Sequence, residues 1–224
     1  MAASAPSDTS GVYTQSDVIF QYCSLHYFSS PFFNPAQLIT NMFIHGSFMH
    51  LFFNMFALYM FGPQIEWAFG SKRFLFYYIS VGIGAALVQE GVFAIMLHKY
   101  YSMYSGEEMR TIIEEGAKMM KTGYTFGDPY LAEINALVNG STVGASGAIY
   151  GILLAFGMLW PDREIMLLIP PMPIKAKWMV IGYGILELLL GVSNTQSNVA
   201  HFCHLGGMLV GFLIILYWKK QARR

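Results

Sequence analysis

A helix that crosses a lipid bilayer needs about 20 mostly apolar residues in a row, and this 224-residue chain approaches that requirement five times. The stretches lie at about 47–65, 74–97, 144–160, 178–192 and 200–218. Backbone N–H and C=O groups have no water to bond in hydrocarbon, so stretches of this kind are read as helices. Their ends fit the same reading. Ser47 stands where an N-cap is expected, and Trp160, Trp178, Tyr217 and Trp218 fall at the ends, where aromatic rings suit the headgroup layer. Only 12% of the residues are charged, about half the share usual in soluble domains. A multi-pass membrane protein is therefore expected. The formal net charge is zero and no basic block gathers outside the last few residues, so nucleic acid is not an expected partner.

Three regions follow. Residues 1–30 form a polar N-terminal segment, 31–218 a membrane domain and 219–224 a basic cytoplasmic tail. Within the membrane domain, 31–46 is apolar but broken by Pro31 and Pro35, which suits an interfacial structure better than a span. Residues 98–143 read as a long external loop carrying Glu107, Glu108, Glu114, Glu115 and Asp128, with a surface helix around 106–121. Alternating spans put nine Lys and Arg residues on one side (Lys72, Arg73, Arg163, Lys175, Lys177, Lys219, Lys220, Arg223, Arg224) and four on the other. The richer side is placed in the cytoplasm. Cys23 and Cys203 show neither metal nor redox spacing and are read as unpaired. Residues 1–17 lack the cationic and apolar regions of a signal peptide. No internal duplication is evident, which disfavours an inverted-repeat transporter.

Polar side chains inside a span are costly and point to function. His50 and Asn54 in the first span are four residues apart and share one helix face. Ser146 opens the third span in Gly144-Ala145-Ser146-Gly147, where glycines permit close backbone approach. A helix start leaves N–H groups unpaired and carries partial positive charge, so a hydroxyl attacking a carbonyl there finds its oxyanion stabilised. His204 lies in the fifth span, on one face with Gly207 and Gly211. Gly147 and Gly151 form a matching small-residue pair in the third span, and docking through such pairs brings His204 to Ser146. Tyr150 would then lie beneath the imidazole. All three running spans start outside, so His50, Ser146 and His204 come to one depth. Alone, Ser146 fits a packing serine; the shared depth makes it a candidate nucleophile.

These residues resemble the rhomboid family of intramembrane serine proteases. The matching pieces are His45-Gly46-Ser47-Phe48-Met49-His50-Leu51-Phe52-Phe53-Asn54, Gly144-Ala145-Ser146-Gly147, and Ala200-His201-Phe202-Cys203-His204-Leu205-Gly206-Gly207 with Gly211; the stretch from Gly62 through Glu66 to Gly70 is similar too. The resemblance covers roughly 31–218. It implies an all-α, polytopic helical bundle and a Ser–His dyad, with Ser146 as nucleophile and His204 as general base and later acid. His50, Asn54 and the Ser146 backbone N–H would hold the oxyanion, supported by Tyr150, Gly144, Gly147, Gly207 and Gly211. The implied substrates are transmembrane proteins in the lipid bilayer, cut beside small residues near the outer end of the span, with no cofactor and no metal. A cell-membrane location with the site toward the external face is expected. The chain departs from the family in offering no 20-residue apolar run in 1–30 and no Trp-Arg pair in 31–46, so the family's first helix is expected to be missing from a set of five.

Other polar residues get milder readings. His201 is expected to line the site at most, His45 to make a structural hydrogen bond near its mouth, and His26 and His98 to be surface or interface histidines. Gln89 and Glu90 are expected at a solvated helix end, and Glu66 as a structural cap or loop contact. The competing function is a rhomboid-like protein that binds transmembrane clients without cutting them. Relatives of that kind lack the serine or the histidine, and both are present here.

Overall fold

The computed structural model of the chain describes residues 15–166, 172–193 and 198–222. Residues 1–14 of the expected N-terminal segment and 223–224 of the expected tail lie outside the described residues. The elements run α1 (Gln15–Cys23), α2 (Gln37–Thr40), a 3₁₀ turn (Asn41–Phe43), α3 (Phe48–Phe69), α4 (Ser71–Tyr101), α5 (Gly106–Lys121), α6 (Pro129–Asn139), α7 (Ser146–Leu159), β1 (Glu164–Met166), β2 (Pro173–Lys175), α8 (Ala176–Val192) and α9 (Asn198–Ala222). The fold is mostly helical. Among the described residues, two helices, Ser71–Tyr101 and His201–Ala222, are long and apolar enough to cross a membrane by length and composition, where five spans were expected; Ser146–Leu159 is apolar but shorter.

Local chemistry sets the helix ends. The Ser47 hydroxyl accepts from the His50 N–H at 3.1 Å and starts α3. Gly70 ends it at φ +78°, a left-handed conformation that a side chain would strain, and α4 begins at the next residue. The two helices therefore turn back on each other with one residue between them. α9 packs against α4, α7 and α8. Ile65, Tyr77, Val81, Ile152, Phe156 and Ile215 form one core of this bundle. The outward faces stay apolar: Phe52, Phe53 and Tyr59 on α3, Ile185, Leu188 and Leu189 on α8, and Phe212 and Leu213 on α9 are all exposed. Soluble monomers rarely show bands of this kind.

The 98–143 region is more ordered than the sequence implies. α4 extends to Tyr101, α5 lies where a surface helix was expected, and α6 was not foreseen. Ser105 and Glu108 close a capping box on α5, while Asp128 caps α6 with Pro129 in its first turn. Phe93, Leu97 and Tyr100 of α4 pack with Met109, Ile112 and Ile113 of α5 and Ile134, Leu137 and Val138 of α6. We call this unit the cap. The short hairpin was also unforeseen; β1 and β2 pair antiparallel, with Ile165 opposite Ile174.

The N-terminal segment is stitched to the cap by polar groups. Leu25 and Thr142 exchange backbone hydrogen bonds at 2.9 and 2.8 Å. His26, expected as a surface or interface histidine, lies at an interface and is only 4% exposed. Its Nδ1 lies 3.1 Å from the Asn139 and Gly140 carbonyls, and its Nε2 3.2 Å from the Gln21 carbonyl. Asn139 donates to the Ile113 carbonyl at 3.0 Å and accepts from Ser30 Oγ at 2.8 Å. Gly144 N–H then donates to the Asn41 carbonyl at 2.9 Å. The strand of chain entering α7 is thus held from both sides.

Candidate active site

Glycine-mediated contact sets the geometry at the start of α7. A Cβ on Gly207 would fall onto the Gly147 carbonyl group, and one on Gly147 would meet Ala85 Cβ at 2.7 Å and Cys203 Sγ at 3.1 Å. Farther along the pair, a Cβ on Gly211 would lie 3.3 Å from Gly151 Cα. The Tyr77 hydroxyl also needs that space, and it donates to the Gly151 carbonyl at 2.8 Å. α4, α7 and α9 can therefore approach to backbone contact, which larger residues would prevent.

This docking sets His204 of α9 against Ser146 of α7, with Nε2 2.7 Å from Oγ. The Tyr150 ring stacks on the imidazole at 4.2 Å between centroids and 5° between planes, which fixes the ring's plane. Ser146 is the first residue of α7, so its N–H belongs to the group a helix leaves unpaired.

His50 and Asn54 face the same segment from α3. Gly144 sits at φ +119°, and a Cβ there would lie 2.7 Å from His50 Cε1 and Nε2 and 3.8 Å from Asn54 Nδ2. Glycine at this position therefore lets the backbone entering Ser146 pass directly beside both side chains. Asn54 is buried and donates one amide hydrogen to the His50 carbonyl at 2.9 Å, leaving a second donor free of that bond. His45 packs edge-on against the His50 ring at 5.1 Å. Burial holds its pKa below the usual histidine range, against a bond to the Phe43 carbonyl that works the other way.

A residue not singled out in the sequence joins the cluster. Glu187 of α8 is 5% exposed. Its Oε1 accepts from the Tyr150 hydroxyl. Its Oε2 lies 2.5 Å from His201 Nδ1, and Oε1 lies 3.0 Å from His204 Nδ1. The last contact is off the line of a ring N–H, so it is electrostatic rather than a directed hydrogen bond. His201 is thus tied to a carboxylate, beyond a lining role. The available signal was an acidic residue inside an apolar run, Leu-Glu-Leu-Leu-Leu over 186–190. Glu187, His201 and His204 also offer three potential metal-ligand atoms within 4.8 Å of one another, the one such group among the described residues.

Gln89 and Glu90 are 0% and 2% exposed and lie well inside α4, which corrects the expectation of a solvated helix end. The Phe28 N–H donates to Glu90 Oε2 at 3.1 Å. Glu90 thereby joins α4 to the N-terminal segment, and both residues lie inside the helix because α4 runs on past its apolar stretch to Tyr101.

Comparison with known proteins agrees with the motifs. The Rhomboid domain model matches residues 33–221. "Putative rhomboid protease YdcA" of Bacillus subtilis is 40% identical over 191 residues, covering 84% of this chain and 70% of the relative. "Rhomboid protein 1, mitochondrial" of Saccharomyces cerevisiae is 26% identical over 191 residues, covering 85% and 44%. "Rhomboid protease AarA" of Providencia stuartii is 28% identical over 177 residues, covering 78% and 52%. The chain thus spans about half the length of the last two relatives. No solved structure gives a significant match. On the family match, which extends over most of its length, the chain belongs to the rhomboid family.

Proposed function

We propose that the chain is an intramembrane serine endopeptidase that cuts transmembrane proteins near the outer end of their spans through a Ser146–His204 dyad. The observation that carries this reading is the 2.7 Å contact between Ser146 Oγ and His204 Nε2 at the start of a helix. With Nε2 unprotonated, the Ser146 hydroxyl donates to it. Attack of Oγ on a carbonyl carbon transfers that proton to Nε2 and leaves charge on the carbonyl oxygen. The Ser146 N–H, the free Asn54 amide hydrogen and a His50 ring N–H are the donors for that oxygen. His204 next protonates the departing amine, and water releases the acyl group from Ser146 by the reverse proton path. No metal or cofactor takes part in this scheme.

In this reading α3, α4, α7, α8 and α9 are the five spans of a domain covering 31–218, with the cap outside and the basic residues 219–224 in the cytoplasm. Lengths support an outer-face site. The 14 residues of α7 reach about 21 Å, against about 30 Å of hydrocarbon. Ser146 then begins below the outer surface. A substrate helix must unwind there to present a carbonyl. The close packing of His50 and Asn54 beside Gly144 leaves little room there, which favours small residues at the cut.

The test is incubation of purified protein in detergent or lipid with a generic transmembrane substrate, beside Ser146→Ala and His204→Ala. Both variants should lose cleavage, and mass spectrometry should map the cut to the outer end of the substrate span. Cleavage surviving either substitution rejects the dyad. Intact substrate with wild-type protein, together with no fluorophosphonate labelling of Ser146, favours a client-binding rhomboid-like protein instead.

A further inference from the structure

We propose that Glu187 is a positioning residue for the dyad, converting Ser146–His204 into a three-member Ser–His–Glu arrangement. The inference rests on the proteolytic reading above and extends it to α8.

A carboxylate in an apolar helix is costly unless paired, and Glu187 is flanked by Leu186, Leu188, Leu189 and Leu190. Among the described residues no Lys or Arg forms an ion pair with it. All three of its partners belong to the neighbourhood of Ser146. Tyr150 lies four residues after the serine on α7, and His201 and His204 lie one turn apart on α9. A carboxylate serving only to dock α8 could be satisfied by Tyr150 and His201. Oε1 instead also stands 3.0 Å from the far nitrogen of the imidazole whose near nitrogen meets Ser146.

That placement has two chemical consequences. An acceptor beside Nδ1 favours the tautomer with hydrogen on Nδ1, leaving the Nε2 lone pair for the Ser146 proton. When His204 takes that proton, a negative charge already lies beside the ring. The contact's off-line geometry makes this field the larger of the two contributions. Tyr150 couples the parts: its ring lies flat on His204 while its hydroxyl donates to Glu187, so the carboxylate and the imidazole plane are held by one side chain.

The test compares wild type with Glu187→Gln, Glu187→Leu and Glu187→Asp. Glu187→Gln should lower kcat by roughly a hundredfold, with KM changed by less than about twofold and the thermal midpoint preserved. Glu187→Asp should recover part of the loss. Histidine-selective 15N NMR on detergent-solubilised Ser146→Ala protein reads the tautomer without turnover. The His204 signal should report hydrogen on Nδ1, and adding Glu187→Gln should remove that preference. Glu187→Gln with wild-type kcat, or an unchanged His204 tautomer, overturns the proposal. Should Glu187→Leu fail to fold, Glu187→Gln carries the kinetic test, since it keeps the volume while removing the charge and exchanging one acceptor oxygen for an NH2 donor. A wild-type protein that cuts nothing counts against the proteolytic reading, whereas the NMR result decides the Glu187 contact separately.

Discussion

The bundle and the cap are built from opposite materials. In the bundle, α4, α7 and α9 meet through glycines, and the few buried polar groups converge on Ser146 and His204. In the cap, an amphipathic α5 and α6 pack ordinary side chains such as Ile112, Ile113 and Leu137 on α4. Buried His26, Asn135 and Asn139 there bond to backbone and to each other. The cap follows the rules of a water-soluble helical unit, with side-chain caps and surface pairs such as Arg110–Glu114 at 2.9 Å. In the bundle Ser47 caps α3 in the same way, while α4, α7 and α8 start without a side-chain cap. Between α7 and α9, close backbone approach takes the place of side-chain interdigitation, because helices in lipid gain little from hiding apolar surface from an apolar solvent. The difference teaches where each region is fragile: the bundle to added volume, the cap to lost hydrogen bonds and to charge.

The sharpest break should come at Gly207. Gly207→Val places two methyl groups and a Cβ against the Gly147 backbone, which has no side chain to move aside. We expect loss of proteolysis and about 3 kcal/mol or more of destabilisation, measured by unfolding in mixed micelles. A variant with normal stability and activity would mean that α7 and α9 do not depend on glycine contact.

Next in size is Asn54→Ala. Losing one oxyanion donor should reduce kcat by about 10²- to 10³-fold with little change in KM. An equal effect on KM alone would make Asn54 a binding residue instead.

The cap should respond through stability rather than chemistry. Asn139→Ala leaves the Ile113 carbonyl and the Ser30 hydroxyl without their buried partner, at a cost of about 2 kcal/mol. Hydrogen exchange should rise in α5 and α6 while kcat stays near wild type. A collapse of kcat in stable protein would show the cap to be part of the catalytic apparatus.

The smallest effect expected is a pH dependence of the same contact. Burial holds the pKa of His26 below its usual value, although carbonyls facing both ring nitrogens pull it upward. The unfolded segment therefore takes up a proton first as pH falls. Cap stability conferred by neutral His26 is full above the ordinary histidine pKa of about 6.5. It declines as pH drops below that value toward the lower folded pKa. Proteolytic nicking of the cap should increase over this window in wild type and be flat in His26→Gln. A flat wild-type profile would remove His26 from the cap's stability.

Legibility in the sequence also differed between the two regions. In the bundle, spacing alone put His204, Gly207 and Gly211 on one face and paired them with Gly147 and Gly151, because a regular helix converts sequence distance into direction. Glu187 could have been found by the same rule for polar residues in spans, but its neighbours are leucines and its partners come from α7 and α9, so no local motif announces it. In the cap, α5 was visible from its charge pattern, whereas α6 was not. Pro129 and Asp128 read equally well as a turn until Leu137 and Val138 are seen packing on α4. The β1–β2 pairing likewise depends on residues brought together by the ends of α7 and α8.

By itself the sequence determined that the chain is helical, that it carries rhomboid motifs, and which residues stand at the same depth on separate helices. Periodicity and the cost of polar groups in apolar runs act locally, so one chain suffices to read them. Tertiary structure alone decided that a carboxylate from α8 reaches the imidazole of α9, and that Leu25 and Asn41 hold the strand entering Ser146. Those are contacts between elements far apart in the chain, and their geometry exists only after the helices have docked.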